Sequence, residues 1–198
     1  MDLDGRDIWE INSQGVISWI ESNLEHRLYA LNAEGVRTSH YVMVSDRSIL
    51  DALSGETGLS SYTTGSNIDD IFKVFLFAAD NSDVEWAVHR GRDNMYTIGT
   101  SHKEDSVDPY SVLSGKQIPP ISSVHSHPGT TDLTTMGYIS ETYYRSDQWK
   151  VKNGLAPKYN YVYFPCLKSL YQSGWYTPVY IRRVAKFQDF YFGTLNHK

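Results

Sequence analysis

Apolar residues recur at spacings of three and four in one stretch of the chain, directly after Ser66. They are Ile68, Ile71, Phe72, Phe75, Leu76 and Ala79. This spacing matches the 3.6-residue turn of a helix, and Ser66 can cap its first turn. The pattern predicts a helix that Ser66 caps and that buries one face in a core.

Before this helix, apolar residues form short runs that are separated by turn residues. The runs are Ile8–Ile11, Gly15–Ile17, His26–Ala30 and Ser39–Val44. Short runs of this kind predict strands, here an N-terminal β-rich appendage over residues 1–62. Residues 56–66 are rich in Gly, Ser and Thr and have no apolar period, which predicts a connection to a main domain of residues 63–198.

Most of the apolar runs after the helix are also typical of strands. They are Val84–Val88, Met95–Gly99, Ile121–His125, Tyr159–Phe164 and Trp175–Arg182. A second helix is predicted from about Ser146 to Lys152, because Gly154 and Pro157 would end it. The order of elements predicts an α/β fold, with a mixed β-sheet flanked by helices and a small N-terminal β-hairpin region.

Composition narrows the functional classes. The 198 residues suffice for one ordinary domain, alone or with a small appendage. The net charge of -5 disfavours a protein that binds nucleic acid through a basic surface. Cys166 is the single cysteine, so any metal ion must be held by histidine and carboxylate side chains.

We expect neither a secretory signal peptide nor a membrane span in this sequence. Its N-terminus has neither the basic start nor the apolar run of a secretory signal peptide, and no stretch approaches the ~18 apolar residues of a membrane span. We therefore expect no membrane partner, and delivery, if it occurs, by another route or as part of a longer polypeptide.

The segment Val124–Gly129, with the sequence VHSHPG, carries the clearest chemical signal. Residues two apart in a strand share a face, so His125 and His127 can bind one ion while Ser126 points away. A hydrolytic zinc site needs a third protein ligand and an open position for water. The candidates downstream are Asp132, Glu141 and Asp147. Asp147 is preferred because the predicted helix would aim it back at the strand.

Glu85 is the candidate general base, because it is a carboxylate within an otherwise apolar strand. In this role it would take a proton from a zinc-bound water, whose pKa the metal lowers toward about 7. Each residue also has a structural interpretation: a surface histidine pair, a helix cap for Asp147 and an edge-strand charge for Glu85. The order of the four residues favours the site.

The other histidines in these segments are expected to be structural or solvated. They are His26, His40, His89 and His102.

The order of Glu85, His125-Ser126-His127-Pro128 and Asp147 resembles the JAMM (MPN/JAB) metalloprotease pattern of Glu, His-Ser/Thr-His-Pro and Ser-x-x-Asp. The segments Asp83–Trp86, Ile98–His102 and Val124–Gly129 are similar, more specifically, to the JAB-like toxin domains at the C-terminal tips of bacterial Rhs-type polymorphic toxins. That resemblance covers roughly residues 67–164. Residues 2–9 also resemble the junction between Rhs repeats and the toxin tip.

The chain departs from the family pattern in two ways. The gap from His127 to Asp147 is longer than usual, so residues 130–145 would form an inserted loop. The serine of Ser-x-x-Asp falls at Tyr144, and Ser140 or Ser146 could take its role of stabilising the oxyanion. Of these two, Ser146 is our candidate.

The resemblance implies a zinc-dependent protease or isopeptidase-like hydrolase that acts as a toxin domain. Zn²⁺ would be held by His125, His127 and Asp147, with Glu85 and Ser146 as catalytic residues. The implied partners are a protein substrate in the cytoplasm of a target cell and a cognate immunity protein.

Two alternatives remain open. A catalytically inactive MPN-like binding module would account for the missing serine and the insertion. A toxin that hydrolyses another substrate, such as nucleic acid, is disfavoured by the acidic charge balance.

Overall fold

The computed structural model describes residues 7–23, 25–55, 61–91, 95–104, 121–129, 159–173 and 182–184. Within these ranges the chain forms two sheets, two α-helices and a short 3-10 helix at Pro165–Leu167. The elements in chain order are β1 (Asp7–Ile11), β2 (Ile17–Ser22), β3 (His26–Leu31), β4 (Arg37–Val44), α1 (Arg47–Leu53), β5 (Ser61–Gly65), α2 (Ile68–Asp80), β6 (Trp86–Arg90), β7 (Tyr96–Thr100), β8 (Ser122–Ser126), β9 (Tyr159–Phe164), β10 (Ser169–Ser173) and β11 (Arg182–Val184).

The four N-terminal strands form one sheet with the order β2-β1-β3-β4. Two antiparallel pairs, β1 with β2 and β3 with β4, lie side by side through a parallel pairing of β1 with β3. Helix α1, which the sequence analysis did not predict, follows this sheet. Asp46 caps it, and its buried Ile49, Leu50 and Leu53 recur at helical spacing, so the signal was present in a short segment.

The remaining strands form a seven-stranded sheet with the order β11-β10-β9-β8-β6-β7-β5. The pairing of β8 with β9 is parallel and the other described pairings in this sheet are antiparallel. A mixed sheet with helices is the predicted fold class. The prediction that residues 56–66 are only a connection is wrong, because β5 within this range pairs with β7. Its Ser, Thr and Gly content concealed an edge strand.

Helix α2 begins one residue later than predicted. Asn67, rather than Ser66, caps it, and the Asn67 side-chain oxygen accepts a hydrogen bond from the Asp70 N–H at 3.2 Å. At the other end, the Asn81 side-chain amide donates to the Phe77 carbonyl at 2.8 Å and the Ser82 hydroxyl donates to the Ala78 carbonyl at 2.7 Å, so side chains provide hydrogen bonds to carbonyls of the last turn. The helix is therefore fixed at both ends by side chains.

The core lies around α2, which contacts β4, β6 and β7. One cluster of buried apolar residues includes Trp9 and Leu28 of the N-terminal sheet and Trp86, Val88 and Val124 of the larger sheet, together with the apolar face of α2. Because side chains alternate along a strand, this burial directs the neighbours of Trp86 and Val88 to the opposite face of the larger sheet.

Some predicted features lie outside the described residues. They are the helix at Ser146–Lys152 and the strand at Trp175–Arg182, except Arg182 itself, with which β11 begins. The predicted domain boundary between residues 62 and 63 falls within β5, and the division into two domains stays a prediction. No helix in the described ranges is long and apolar enough to cross a membrane.

A buried carboxylate, Asp70 in the first turn of α2, links this helix to the turn after β4. Its Oδ2 accepts hydrogen bonds from the backbone N–H groups of Ser45 and Asp46 at 2.7 and 2.8 Å, and from the Ser45 hydroxyl at 2.7 Å. Burial raises the pKa of Asp70, but the hydrogen bonds from Ser45 and Asp46 outweigh it and hold the pKa below its ordinary value. The ionised carboxylate therefore stabilises this junction.

Asp70→Asn is expected to lower the free energy of unfolding by about 1–3 kcal/mol, because the buried N–H groups lose a charged acceptor. The parent should also lose stability in acid. A carboxyl with a lowered folded pKa stabilises the protein above its unfolded pKa of about 3.9, and this contribution disappears as the pH falls through the folded pKa. Urea denaturation at neutral and acidic pH measures both effects.

The matched control is Asp69→Asn, which makes the same charge change at an exposed position of the same helical turn. It should change the free energy of unfolding by less than about 0.5 kcal/mol. Equal losses in the two variants would contradict a specific role for the Asp70 hydrogen bonds.

Candidate metal centre

The pairing of β6 with β8 determines where the candidate residues meet. Ala87 lies opposite His125 in this antiparallel pair. Because side chains alternate, Ala87, His125, Glu85 and His127 share the face of the sheet that points away from α2. Continuing the register by two residues brings Glu85 next to His127. Two segments that are distant in the sequence thus place these four residues on one face.

The two histidine rings converge as predicted. Their Nε2 atoms lie 3.1 Å apart, and the ring centroids are 5.0 Å apart. Two nitrogen ligands at about 2.0–2.1 Å from a tetrahedral zinc ion lie about 3.3 Å apart. The observed separation therefore fits two imidazoles that direct Nε2 at one ion.

The environment of His127 limits the positions that its ring can take. Its backbone N–H donates to the Tyr163 carbonyl of β9 at 2.8 Å, although β8 ends at Ser126. Its ring packs edge-on against the fully buried Phe164, with centroids 5.3 Å apart. Ser126 points to the other face, where its hydroxyl accepts from the Trp86 N–H at 2.9 Å. Contacts on both faces of β8 therefore limit the orientation of the histidine rings.

Glu85 is the carboxylate closest to the pair among the described residues. Its Oε1 lies 3.6 Å from the Nε2 of His127, and the residue is 7 % exposed. Strand β6 begins at Trp86, so Glu85 directly precedes the strand that was predicted to contain it. Its N–H donates to the Lys103 carbonyl at 2.8 Å. The backbone of Glu85 is thus fixed at the start of β6, and its carboxylate lies beside His127.

The turn between β1 and β2 supports the segments that flank Glu85. The Asp83 N–H donates to the Ser13 carbonyl at 2.7 Å. Gly15 has a φ of +74°, and a Cβ there would lie 2.5 Å from a methyl carbon of Val84, so this close approach requires glycine. The N-terminal sheet therefore contacts the chain within two residues of Glu85.

His102 lies away from the candidate centre. Its ring nitrogens pair with the Ser61 hydroxyl at 3.1 Å and the Gln14 carbonyl at 3.0 Å. These contacts agree with the predicted structural role.

The predicted third ligand lies outside the described residues, as does the predicted catalytic serine. This applies to Asp147 and Ser146 and to their alternatives, which are Asp132, Glu141, Ser140 and Tyr144. Within the described ranges, no three metal-binding side chains come close enough together to hold an ion. The described part contributes two imidazole nitrogens, which are ligands that suit zinc, and a carboxylate beside them.

Comparison with known families gives one finding. The family model described as JAB-like toxin 1 matches residues 63–152. The matched range contains Glu85, His125, His127 and Asp147. Neither the curated proteins nor the solved structures include a match to the chain.

His89 is a buried polar residue to which the sequence analysis gave no site role. It lies two residues beyond Ala87 on β6, so it shares the face of Glu85 and His125. It is 4 % exposed, and neither ring nitrogen has a hydrogen-bond partner in the described part of the chain. Burial, together with the nearby His125 ring, lowers the pKa of His89 to about 3. The ring is therefore neutral at physiological pH.

The free energy of unfolding of the metal-free protein is expected to fall as the pH drops from about 6.5 toward 3. Over this range the unfolded chain protonates His89 and the folded chain does not. His89→Leu should flatten the slope of stability against pH by up to about 1.4 kcal/mol per pH unit. Denaturant unfolding between pH 7 and pH 4.5 measures this slope.

His40→Leu is the control, because it removes an exposed histidine. It should keep the slope of the parent protein. A slope that is the same in all three proteins would show that His89 is protonated in the folded state.

Proposed function

We infer from the match of residues 63–152 to the JAB-like toxin 1 family model that this chain is a zinc-dependent protease or isopeptidase-like hydrolase. The observation that carries this proposal is the convergence of the His125 and His127 Nε2 atoms at 3.1 Å, with Glu85 at 3.6 Å from His127. A histidine pair beside a carboxylate meets the first needs of a hydrolytic zinc site, which are fixed nitrogen ligands and a nearby base.

His125 and His127 would hold the zinc ion together with Asp147. A hydrolytic site of this kind keeps one coordination position open, and zinc supplies Lewis acidity there by lowering the pKa of water toward about 7 and polarising a carbonyl. Phe164 and Val162, both fully buried, lie on the neighbouring strand beside the pair. They keep solvent away from the rings and thereby strengthen electrostatic interactions at the site.

Glu85 would act as the general base and then as the general acid. Its carboxylate accepts a proton from the attacking water, and delivers that proton to the nitrogen of the leaving amine as the carbon–nitrogen bond breaks. Ser146 would donate a hydrogen bond to the oxygen that becomes negatively charged at the attacked carbonyl. The new carboxyl group gives up the second proton of the water to the amine, so one water is consumed and a carboxylate and a protonated amine are released.

The family also suggests where this chemistry takes place. A JAB-like toxin domain fits a delivered effector, and we propose that it acts on a protein in the cytoplasm of a target cell. We propose delivery at the tip of an Rhs-type polymorphic toxin. The cell that produces this toxin would be exposed to the same activity. A cognate immunity protein is therefore the proposed second partner.

Protein purified without added metal is expected to contain close to one zinc ion per chain, as measured by elemental analysis. His125→Ala and His127→Ala should each lower zinc affinity by about 100-fold or more, because loss of a ligand also loosens the remaining ones. Competition with a chromogenic chelator at neutral pH measures the affinity. His40→Ala, at an exposed position, is the control and should bind zinc as the parent does.

The same titration identifies the third ligand. Asp147→Asn should weaken zinc binding strongly, because it replaces a charged oxygen ligand with a neutral amide. Asp132→Asn should leave the affinity nearly unchanged. The reverse order would assign the third ligand to Asp132, and full zinc affinity in the histidine variants would refute the metal site.

Glu85→Gln separates an enzyme from a binding module, because it keeps the size of the side chain and removes the proton acceptor. The variant should retain zinc and fold, yet lose about 10²–10⁴ in hydrolytic rate. Growth of bacteria that produce each variant without an immunity protein measures toxicity, and hydrolysis of a fluorescent isopeptide measures rate. If Glu85→Gln is as toxic as the parent while zinc-free His125→Ala is harmless, the proposed base is wrong. Equal toxicity of all three proteins would favour the inactive binding module.

A further inference from the structure

The peptide group between Glu85 and Trp86 is held at both ends by side-chain hydroxyls. The Thr100 hydroxyl donates to the Glu85 carbonyl at 2.7 Å. The Trp86 N–H donates to the Ser126 hydroxyl at 2.9 Å. Thr100, Trp86 and Ser126 are each fully buried, so water does not compete for these bonds. We call this arrangement the Glu85 clamp, which consists of Thr100, Ser126 and the peptide group between them.

The clamp continues the hydrogen bonding of β6 beyond the last residue pair that β6 forms with β8. The described pairing of β6 with β8 ends at Ala87 and His125, and Trp86 is the next residue. On the other side, Trp86 pairs with Thr100, whereas the Glu85 N–H bonds to Lys103 rather than following that register. Without the hydroxyls, the residue that carries the carboxylate would lie at a fraying strand end.

Ser126 connects the two parts of the proposed site directly. It lies between His125 and His127 in the chain, and its hydroxyl bonds to the residue that follows Glu85. One hydrogen bond therefore ties the strand end that carries both histidines to the strand end that carries the base. Ser126 points to the α2 face of the sheet, so it does not touch a substrate held at the histidines.

We propose that Thr100 and Ser126 are positioning residues that fix the Glu85 carboxylate relative to His127. This inference rests on the proposed function, in which Glu85 is the base beside a zinc ion held by the histidines. A reacting group must be held within a fraction of an ångström, because an error of 1 Å can cost about 100-fold in rate. The clamp provides this precision through the backbone peptide group on either side of which Glu85 and Trp86 lie.

The test uses matched variants at Thr100. Thr100→Val keeps the shape of the side chain and removes the hydroxyl, whereas Thr100→Ser keeps the hydroxyl. Crystal structures should show the Glu85 Oε1 to His127 Nε2 distance, 3.6 Å in the parent, lengthened by about 1 Å in Thr100→Val and unchanged in Thr100→Ser. In the isopeptide assay, Thr100→Val should lower kcat about tenfold or more with KM and zinc affinity unchanged.

Ser82→Ala separates positioning from stability in the comparison with Ser126→Ala. The Ser82 hydroxyl accepts from the indole N–H of the same Trp86 at 3.1 Å, so its removal also costs a buried hydrogen bond but leaves the Glu85 clamp intact. Ser126→Ala should lower kcat and speed amide exchange at Trp86, and Ser126→Thr should restore both. Ser82→Ala should do neither, even where its loss of stability is as large.

The results also separate this inference from the proposed function. A Glu85→Gln protein with parental kcat overturns the base assignment, whatever the clamp variants do. If Glu85→Gln is inactive while Thr100→Val and Ser126→Ala keep parental kcat and the parental distance to His127, the positioning inference is wrong. An equal loss of kcat in Ser82→Ala and Ser126→Ala would overturn it as well.

Discussion

The pairing register of β6 with β8 is the constraint on which both the core and the candidate metal centre depend. On one face of this pair, the side chains of Trp86, Val88 and Val124 pack against α2. The residues that alternate with them point to the other face, where the candidate metal centre lies. Because side chains alternate with a period of two, a slip of one residue would turn Glu85 into the core and Trp86 toward the site. Burial of the large apolar side chains therefore selects the same register that brings Glu85 to His127.

One residue of this strand pair, Ser126, contributes both to the core and to the position of the candidate metal centre. Ser126 is fully buried on the α2 side, yet it separates the two histidines in the chain and bonds to the residue after Glu85. The β1–β2 turn performs a similar task from the N-terminal sheet, through Ser13 and Gly15. The site is therefore supported by the core behind it and by the N-terminal sheet at its flank.

The parts of the fold that could be predicted are those with a strong local period. The apolar residues of α2 and the alternation around His125 and His127 each identify an element and a buried face, and the isolated carboxylate of Glu85 is conspicuous for the same reason. Strand β5 could not be predicted, because its Ser, Thr and Gly residues are typical of a loop. Only the pairing with β7 identifies the segment as a strand. Its stability comes from pairing, which no single segment encodes.

The roles of single residues, in the fold and in the site, were harder to predict than the positions of the elements. Asn67 rather than Ser66 caps α2, since the two residues are equally good caps and only tertiary contacts, such as the Asp70 junction, choose between them. A histidine in a strand can be structural or solvated, and only the tertiary packing shows that His89 is buried. The roles of Thr100 and Ser126 depend on hydrogen bonds between strands far apart in the sequence.

The central claim is that His125 and His127 hold a zinc ion beside Glu85. Anomalous diffraction at the zinc absorption edge, from crystals grown with equimolar zinc, tests it most directly. One strong peak is expected at about 2.0–2.1 Å from the Nε2 atoms of both histidines, with the Glu85 carboxylate beside it. A zinc peak elsewhere, or two rings that hydrogen-bond to each other with no metal between them, would contradict it.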